Sequence, residues 1–179
     1  MSEMSYEERA REEKAPLQWK SYKGMKGKFG AMRLNLKKAW TSGDIRKAEG
    51  VVFLEMAPTI GPNNYDWQNQ KMIMALGITD IPKVILYLRN PSHVIFKDRN
   101  DPSKKQLLIY HDKGAGTNTK GQNVKTLQVV KPDDAYSFFF TMYQKEGTKE
   151  TTATVPISPD EAIAIGTLLQ AAITQVLAW

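Results

Sequence analysis

Residues 19–38 read WKSYKGMKGKFGAMRLNLKK, a stretch in which basic residues recur every few positions among glycines and aromatics. We predict a cationic loop that feeds a strand over Lys28–Leu36, because the side chains there alternate between two faces. One face carries Phe29, Ala31, Arg33 and Asn35, and the other carries Lys28, Gly30, Met32, Leu34 and Leu36. Cations beside rings suit a surface that meets phosphates and flat bases together, as in single-stranded nucleic acid. A solvated edge strand protected by lysines is the alternative.

The distribution of charge supports the first interpretation. Residues 1–14 carry a net charge of −2, residues 15–47 carry +8, and residues 48–179 are balanced, so the whole excess of +6 is local. Such a concentration attracts polyanions, either nucleic acid or an anionic membrane. The acidic start of the chain is predicted to be a flexible charged tail over residues 1–18.

Length and composition indicate one globular domain over residues 19–179, with an ordinary 41% hydrophobic and 25% charged content. The absence of cysteine excludes disulfides, thiolate catalysis and cysteine-ligated zinc. No apolar run approaches the roughly 20 residues of a membrane helix, and the first residues are too acidic for a targeting peptide. We therefore expect an intracellular protein, cytoplasmic or nucleoid-associated.

The rest of the chain alternates strands with single helices. A short strand is predicted at Asp44–Lys47, a buried strand at VVFLEMA (residues 51–57), and a longer strand over YDWQNQKMIMAL (residues 65–76). The last of these strands would place Tyr65, Trp67, Asn69 and Lys71 on one face. Further strands are expected at His93–Lys97, Gln106–His111, Val124–Val130, Tyr136–Tyr143 and Glu150–Ile157, with a mobile glycine-rich connection over Asp112–Gln122.

Two helices are predicted. The first runs over Asp80–Arg89, with Thr79 as its N-cap and Pro82 early in the helix. The second begins at Ser158-Pro159-Asp160-Glu161, which combines a capping serine, proline at the first position and glutamate three residues after the cap. Its wide apolar face, with almost no charge, predicts burial against sheets or against another subunit.

Enzymatic sites are not indicated. His93 and His111 lack a neighbouring acidic ligand pattern and are expected to be surface or capping residues rather than metal ligands. Gly114-Ala115-Gly116 lacks the residues of a phosphate loop or a dinucleotide fingerprint, and no serine elbow or compact carboxylate pair is present. We therefore expect no catalysis, no cofactor and no metal.

Several spaced motifs resemble the plant Whirly family of single-stranded DNA-binding proteins. The matching segments are GKFGAMRLNL, GVVFLEMAPTIGPNNYDWQNQKMIMALGITDI, IYHDKG, VKTLQVVKP, FFFTM and VPISPDEAIAIGTLLQAAITQVLAW, in the family's order over residues 22–179. Lys26-Gly27-Lys28 resembles the start of the KGKAAL motif, Tyr65-Asp66-Trp67 matches YDW, and Trp179 stands where the family ends in GW. Phe29-Gly30-Ala31 departs from AAL, Ala178 replaces a glycine, and Arg99–Leu107 looks inserted. These departures favour a distant, non-plant relative, prokaryotic or viral.

The resemblance implies an α+β fold of two antiparallel four-stranded sheets, each followed by a helix packed behind it (β4-α-β4-α). It also implies a homotetramer assembled through those helices, with single-stranded DNA lying across the sheets. Such a protein would bind DNA with little sequence preference during replication, recombination or repair. Single-stranded RNA binding or annealing, and a structural role in transcription, stay open as alternatives.

The candidate binding residues combine cations for phosphates with rings for bases. The cations are Lys23, Lys26, Lys28, Arg33, Lys71, Lys125 and Lys131, and the stacking rings are Trp67, Tyr65 and Phe29. Phe138 and Phe140 are weaker candidates because a run of three phenylalanines is more typical of a core strand. Trp67 has an alternative role as a hydrophobic plug beside the preceding turn.

Overall fold

The structure, a computed structural model, describes residues 18–22, 29–42, 45–91, 107–114, 116–132 and 136–177. Residues 1–17 of the predicted tail, the strand His93–Lys97 and the candidate residues Lys23, Lys26 and Lys28 lie outside these residues, whereas Gln18, the last residue of that tail, is the first residue of a strand. In chain order the strands are β1 (Gln18–Tyr22), β2 (Ala31–Lys37), β3 (Trp40–Ser42), β4 (Ile45–Ala48), β5 (Val51–Ala57), β6 (Thr59–Gly61), β7 (Asn64–Tyr65), β8 (Met72–Leu76), β9 (Ile109–Asp112), β10 (Asn123–Val130), β11 (Phe138–Glu146) and β12 (Lys149–Ile157). The helices are α1 (Ile81–Arg89), between β8 and β9, and α2 (Pro159–Leu177), after β12.

The first sheet is antiparallel, with the strand order β1-β2-β5-β8. Alternation along β2 buries Met32, Leu34 and Leu36, while Arg33 and Asn35 between them stay partly exposed on the other face. In β5 and β8 the inward residues of the same face are Val52, Leu54, Met56, Met72, Met74 and Leu76. The first sheet therefore has an apolar inner face and a polar outer face.

The second sheet is also antiparallel, with the order β12-β11-β10-β9. Leu127, Met142 and Ala153 face one another across three strands of its inner side and are almost fully buried. Its outer side is rich in hydroxyl groups, and Thr141 and Thr154 share a hydrogen bond of 2.9 Å there. One hydrophobic core joins the inner faces of both sheets with the two helices.

Gly30 joins the two sheets at a point of close backbone approach. Its N–H donates to the carbonyl oxygen of Thr154 in β12 at 2.9 Å. A Cβ atom at this position would collide with the carbonyl oxygen of Ala57 and press on the Cβ of Ala153. Only glycine fits between the sheets here.

The second helix begins as the sequence predicts. Glu161 Oε2 accepts hydrogen bonds from the backbone N–H of Ser158 at 2.9 Å and from its hydroxyl at 3.0 Å, which confirms the capping interaction. At the other end, the carbonyls of Gln175 and Val176 accept from the N–H groups of Ala39 and Gly50. Segments flanking the β3–β4 hairpin thus satisfy carbonyls that a helix end leaves unpaired.

The first helix differs from its prediction by one residue at the start. Asp80, not Thr79, is the N-cap, and no hydrogen bond from its side chain caps the helix. Its carboxylate instead lies 3.3 Å from Lys83 Nζ and 3.0 Å from His111 Nε2. His111 is thereby a partner of a buried acid rather than a free surface residue. The helix packs on the core through Ile81, Val84 and Tyr87, which are buried.

Two predicted features take another form. The antiparallel sheets and the two helices are found. The exact arrangement β4-α-β4-α is not confirmed, because β3–β4 and β6–β7 make additional hairpins. The predicted strand over residues 65–76 is wrong in its first half. A turn over residues 67–70 separates Tyr65, at the end of β7, from Met72, at the start of β8.

Candidate nucleic-acid interface

The outer face of the first sheet brings cations, an acid and rings together. Strand register places Arg33, Glu55 and Ile73 in one row across β2, β5 and β8, and Asn35, Phe53 and Ala75 in the next row. Their apolar neighbours along each strand point into the core, so these side chains must face outward. The face is continuous across three strands.

Arg33 is fixed against the ring of Trp67. Its Nε donates to Glu55 Oε2 at 2.7 Å, and its guanidinium carbon lies 4.6 Å from the centre of the Trp67 ring. That distance is within the range of a cation–π contact. We call this pair the Arg33–Trp67 platform.

Glu55 holds the platform in place from beneath. Only 7% of this residue is exposed, and its other carboxylate oxygen, Oε1, accepts from the amide of Asn35 at 2.9 Å. Lys71 Nζ lies 3.9 Å from Oε2 and is exposed. Because a buried carboxylate is stable only when it is paired, Glu55 restrains Arg33 to one orientation. The Lys71 amine therefore lies at the surface, at the outer limit of an ion-pair distance from Glu55.

Asp66 explains why Trp67 reaches the platform from a turn. Asp66 Oδ1 accepts from the backbone N–H of Asn69 at 2.8 Å, and Oδ2 accepts from the side chain of Gln70 at 3.1 Å. The hydrogen bond from the Asn69 backbone is the main cause that lowers the pKa of the Asp66 carboxyl, and burial opposes it. An aspartate that bonds to the backbone ahead of it favours a turn over a strand. The predicted single face of Tyr65, Trp67, Asn69 and Lys71 is therefore not formed by strand alternation.

A cavity of about 720 Å³ opens beside the platform, between the outer face of the first sheet and the β9 edge of the second sheet. It is lined by Phe53, Ile73, Ala75, Tyr110, His111, Asp112, Lys113, Asn123 and Lys125. Phe53 and Tyr110 were not predicted as site residues from the sequence. Phe53 was missed because the strand VVFLEMA was interpreted as wholly buried. Glu55, two residues later on the same face, was the signal that this face is not apolar.

Lys125 lies inside this cavity. Its Nζ donates to the backbone carbonyl of Ile73 at 2.9 Å, and the residue is partly buried. Burial lowers its pKa, the nearby charge of Lys113 lowers it further, and the carboxylate of Glu146 opposes both. Lys125 therefore differs from the exposed Lys71 in both setting and chemistry.

The turn that follows β9 forms another wall of the cavity. Asp112 Oδ1 accepts from the N–H of Gly114 at 2.8 Å, and Oδ2 accepts from that of Gly121 at 2.9 Å. These bonds, led by the one from Gly121, lower the pKa of Asp112. Tyr110 is exposed, and desolvation together with the Asp112 carboxylate raises its pKa. The Asp112 carboxylate thus links Gly114 and Gly121 of the glycine-rich segment.

Phe29 and Lys131 lie away from the platform. Phe29 lies with its ring centre 6.2 Å from that of Phe139, on the second sheet. Lys131 follows β10 at the end opposite Lys125, so about 20 Å of strand separates them. Phe138 and Phe140 are core residues, as the sequence suggested. The structure thus brings Arg33, Trp67 and Lys71 together and places Lys125 next to them.

In the part of the chain that the structure describes, no three His, Asp or Glu side chains lie where they could together hold a metal ion. Neither α1 nor α2 is long and apolar enough to cross a membrane.

Comparison with known proteins identifies the family. The family model described as the Whirly transcription factor matches residues 26–168. The single-stranded DNA-binding protein WHY1, chloroplastic, of Solanum tuberosum is 28% identical over 94 residues, which is 52% of this chain and 29% of that protein. The chain thus aligns with less than a third of this curated relative.

Solved structures agree in fold. The crystal structure of WHY1 from Arabidopsis thaliana superposes with a TM-score of 0.71 at 18% identity, covering 93% of this chain and 88% of that one. The plant transcriptional regulator PBF-2 gives a TM-score of 0.70 at 21% identity, covering 93% and 85%. At such identities the likeness shows the fold alone. The family model, however, spans most of the sequence, and this chain belongs to the Whirly family.

Proposed function

We propose that this protein binds single-stranded DNA with little sequence preference on the outer face of the first sheet. The observation that carries the proposal is the Arg33–Trp67 platform, with the guanidinium 4.6 Å from the ring centre. Every base has a flat π-face, so a stacking platform accepts any sequence. Related proteins support the choice of ligand, since the potato relative is named a single-stranded DNA-binding protein.

The charges around the platform suit a DNA single strand whose bases face the protein. Glu55 neutralises Arg33 and fixes it, so we assign Arg33 to stacking and not to free phosphate binding. Lys71 is exposed at the edge and is our candidate for a phosphate contact. We assign the same role to Lys23, Lys26 and Lys28, which supply much of the local positive charge of residues 15–47.

Tyr65 and Phe29 remain proposed secondary stacking residues. Tyr65 is half-buried at the end of the β6–β7 hairpin, next to the turn that carries Trp67. Phe29 lies on the second sheet with Phe139, so it would contact a different part of the strand. Lys131, at the far end of β10, would meet a phosphate there. A DNA single strand that reaches all of these residues must cross from one sheet to the other.

We also propose a homotetramer assembled through α2. Residues 162–177 contain no charged side chain. The exposed side of the helix nevertheless includes Ile163, which is 72% exposed, followed by the small residues Thr167, Ala171 and Thr174. Small side chains beside an exposed isoleucine permit close approach of a second helix. We further propose that the protein acts in replication, recombination or repair, because all three expose single-stranded DNA.

Competition binding tests the proposed ligand. A labelled single-stranded DNA is displaced by unlabelled single-stranded DNA, single-stranded RNA or duplex DNA of matched length and composition. We expect single-stranded DNA to compete best, with little difference between unrelated sequences. Equal or better competition by RNA would favour the RNA-binding alternative, and effective competition by duplex alone would refute the proposal. Arg33→Ala should weaken binding to all single strands alike, because stacking does not read sequence.

A further inference from the structure

The cavity beside the platform carries chemistry that binding of intact DNA does not use. Ile73, on its wall, follows Arg33 and Glu55 in the same row of the first sheet, two strands from Arg33. Neighbouring strands are about 4.8 Å apart, so the cavity begins about 10 Å from the platform. A single strand stacked on Trp67 would therefore pass the opening. Its volume of about 720 Å³ lies within the range of small-ligand sites.

Lys125 presents a primary amine in this cavity, and neither residue that pairs with it on the neighbouring strands is acidic. Its neighbours across the strands are His111 in β9 and Gln144 in β11. It shares the inner face of β10 with the buried Leu127, so its stem is packed while its Nζ reaches the carbonyl of Ile73 at 2.9 Å. A carbonyl acceptor positions the amine and leaves a lone pair available when the amine is neutral.

The surroundings increase the neutral fraction of that amine. Burial lowers the pKa of Lys125 and the positive charge of Lys113, another residue of the cavity, acts in the same direction, while the carboxylate of Glu146 opposes both without reversing the shift. Partial desolvation and a neighbouring cation are the two features that make lysine a nucleophile toward carbonyl compounds. An amine that only contacted phosphates would gain from staying charged.

We propose that Lys125 captures the aldehyde of an abasic site in single-stranded DNA as a Schiff base. The inference rests on the proposed function, because the DNA must be bound for the aldehyde to enter the cavity. Loss of a base leaves a deoxyribose whose ring-opened form carries an aldehyde at C1′, whereas intact nucleotides carry none. Nζ attacks that carbon and forms a C–N bond, and the carbonyl oxygen leaves as water with the two amine protons. The product is an imine that joins the chain to DNA, and no redox partner is needed.

The shape of the cavity suits an abasic nucleotide. A sugar without its base is small enough to turn away from the stacked bases and into a space beside them. Phe53, Ile73 and Ala75 form an apolar wall that would limit access of water to the imine. Capture would hold the protein at a damaged nucleotide of an exposed strand, where cleavage would break the DNA.

Borohydride trapping tests the proposal with the full-length protein. The substrate is a single-stranded oligonucleotide with one abasic site, made by removing a uracil, and borohydride reduces the imine to a stable secondary amine. We expect a covalent product of protein and DNA, with the modified peptide containing Lys125. Lys125→Arg should lose most of this product, because a guanidinium keeps the charge but forms no such imine.

Lys149 provides the matched control. Its Nζ also donates to a backbone carbonyl, that of Asn69 at 3.0 Å, but the residue is exposed and lies outside this cavity. Lys149→Arg should cross-link like the unchanged protein. Affinity for the intact oligonucleotide is measured for each variant, and yields are compared at equal occupancy.

The outcomes separate the two proposals. Tight binding of intact single strands with no trapped product, or with product spread over several lysines and undiminished in Lys125→Arg, would overturn the capture of abasic sites and leave the proposed function intact. Failure to bind intact single strands at all would overturn both.

Discussion

Truncation of Trp67 is the most informative single change, because its side chain is half-buried and its ring contacts the Arg33 guanidinium. Trp67→Ala removes the ring that lies 4.6 Å from the Arg33 guanidinium. Arg33 keeps its hydrogen bond and ion pair with Glu55, so the sheet beneath the platform should stay in place. Binding and folding should therefore respond differently.

The expected magnitudes follow from that geometry. Each base stacked on an aromatic side chain contributes about 1–3 kcal/mol, so Kd should rise about 5- to 150-fold. A fully buried tryptophan would cost about 3–5 kcal/mol of folding free energy on truncation. Trp67 is only half-buried, and a partly exposed cation–π contact contributes about 0.5–1 kcal/mol. We therefore expect a loss of about 1–2 kcal/mol in the free energy of unfolding.

Urea unfolding and fluorescence anisotropy with a labelled single-stranded oligonucleotide measure the two effects on the same preparation. Tyr136→Ala is the control, since Tyr136 is 80% exposed and takes no part in the platform, so neither quantity should change much. The reasoning is refuted if Trp67→Ala lowers the free energy of unfolding by the full core value while the affinity of the folded protein stays unchanged. That result would assign Trp67 to the hydrophobic plug of the alternative interpretation.

Three further predictions concern charge, assembly and the turn. The logarithm of the binding constant should fall by about 0.7 per log unit of salt for each phosphate neutralised, and a constant unchanged between low and moderate salt would contradict phosphate binding. Ile163→Asp should reduce a tetramer of about 80 kDa to smaller species in light scattering with the fold retained, whereas Leu169→Asp should unfold the chain because Leu169 is 1% exposed in the core. The pKa of the Asp66 carboxyl is lower in the folded chain than its ordinary value of 3.8. The ionised carboxylate therefore stabilises the fold fully above pH 3.8, and this stabilisation is lost as the pH falls through the pKa of the folded state. Asp66→Ala should therefore lower the urea midpoint at pH 7 and matter less in acid; an equal difference at both pH values would argue against a role for the charge.

Much of the fold could be predicted because the signals are local. The capping interaction of Ser158 and Glu161 spans three residues, and the alternation of β2 repeats every two. Both follow from backbone geometry whatever the rest of the chain does. The same local reasoning failed at residues 65–71, where aromatic and polar residues alternate as in a strand. The side chain of Asp66 decided that segment by bonding to the backbone of Asn69.

For the candidate binding residues, too, local features could be predicted from the sequence and contacts with distant residues could not. Arg33 was predicted beside rings because cations and aromatics alternate around it, but its partner Trp67 lies 34 positions later in the sequence. Lys125 was predicted as one more phosphate contact. Its position on the inner face of β10 could have been noticed from its alternation with Leu127 and Val129, but the carbonyl that holds it belongs to Ile73, in the other sheet.

By itself the sequence determined the start of the second helix, the alternation of β2, the local excess of positive charge and the family. These depend on residue spacing along one element, which is fixed by the repeat of a helix or a strand. Only the tertiary structure decided that Glu55 orients Arg33 beneath Trp67 and that Lys125 enters a cavity next to them. The physical reason is register. The side chains that meet across two sheets depend on how the strands align and on where Gly30 lets the sheets approach, and neither can be predicted from a single segment.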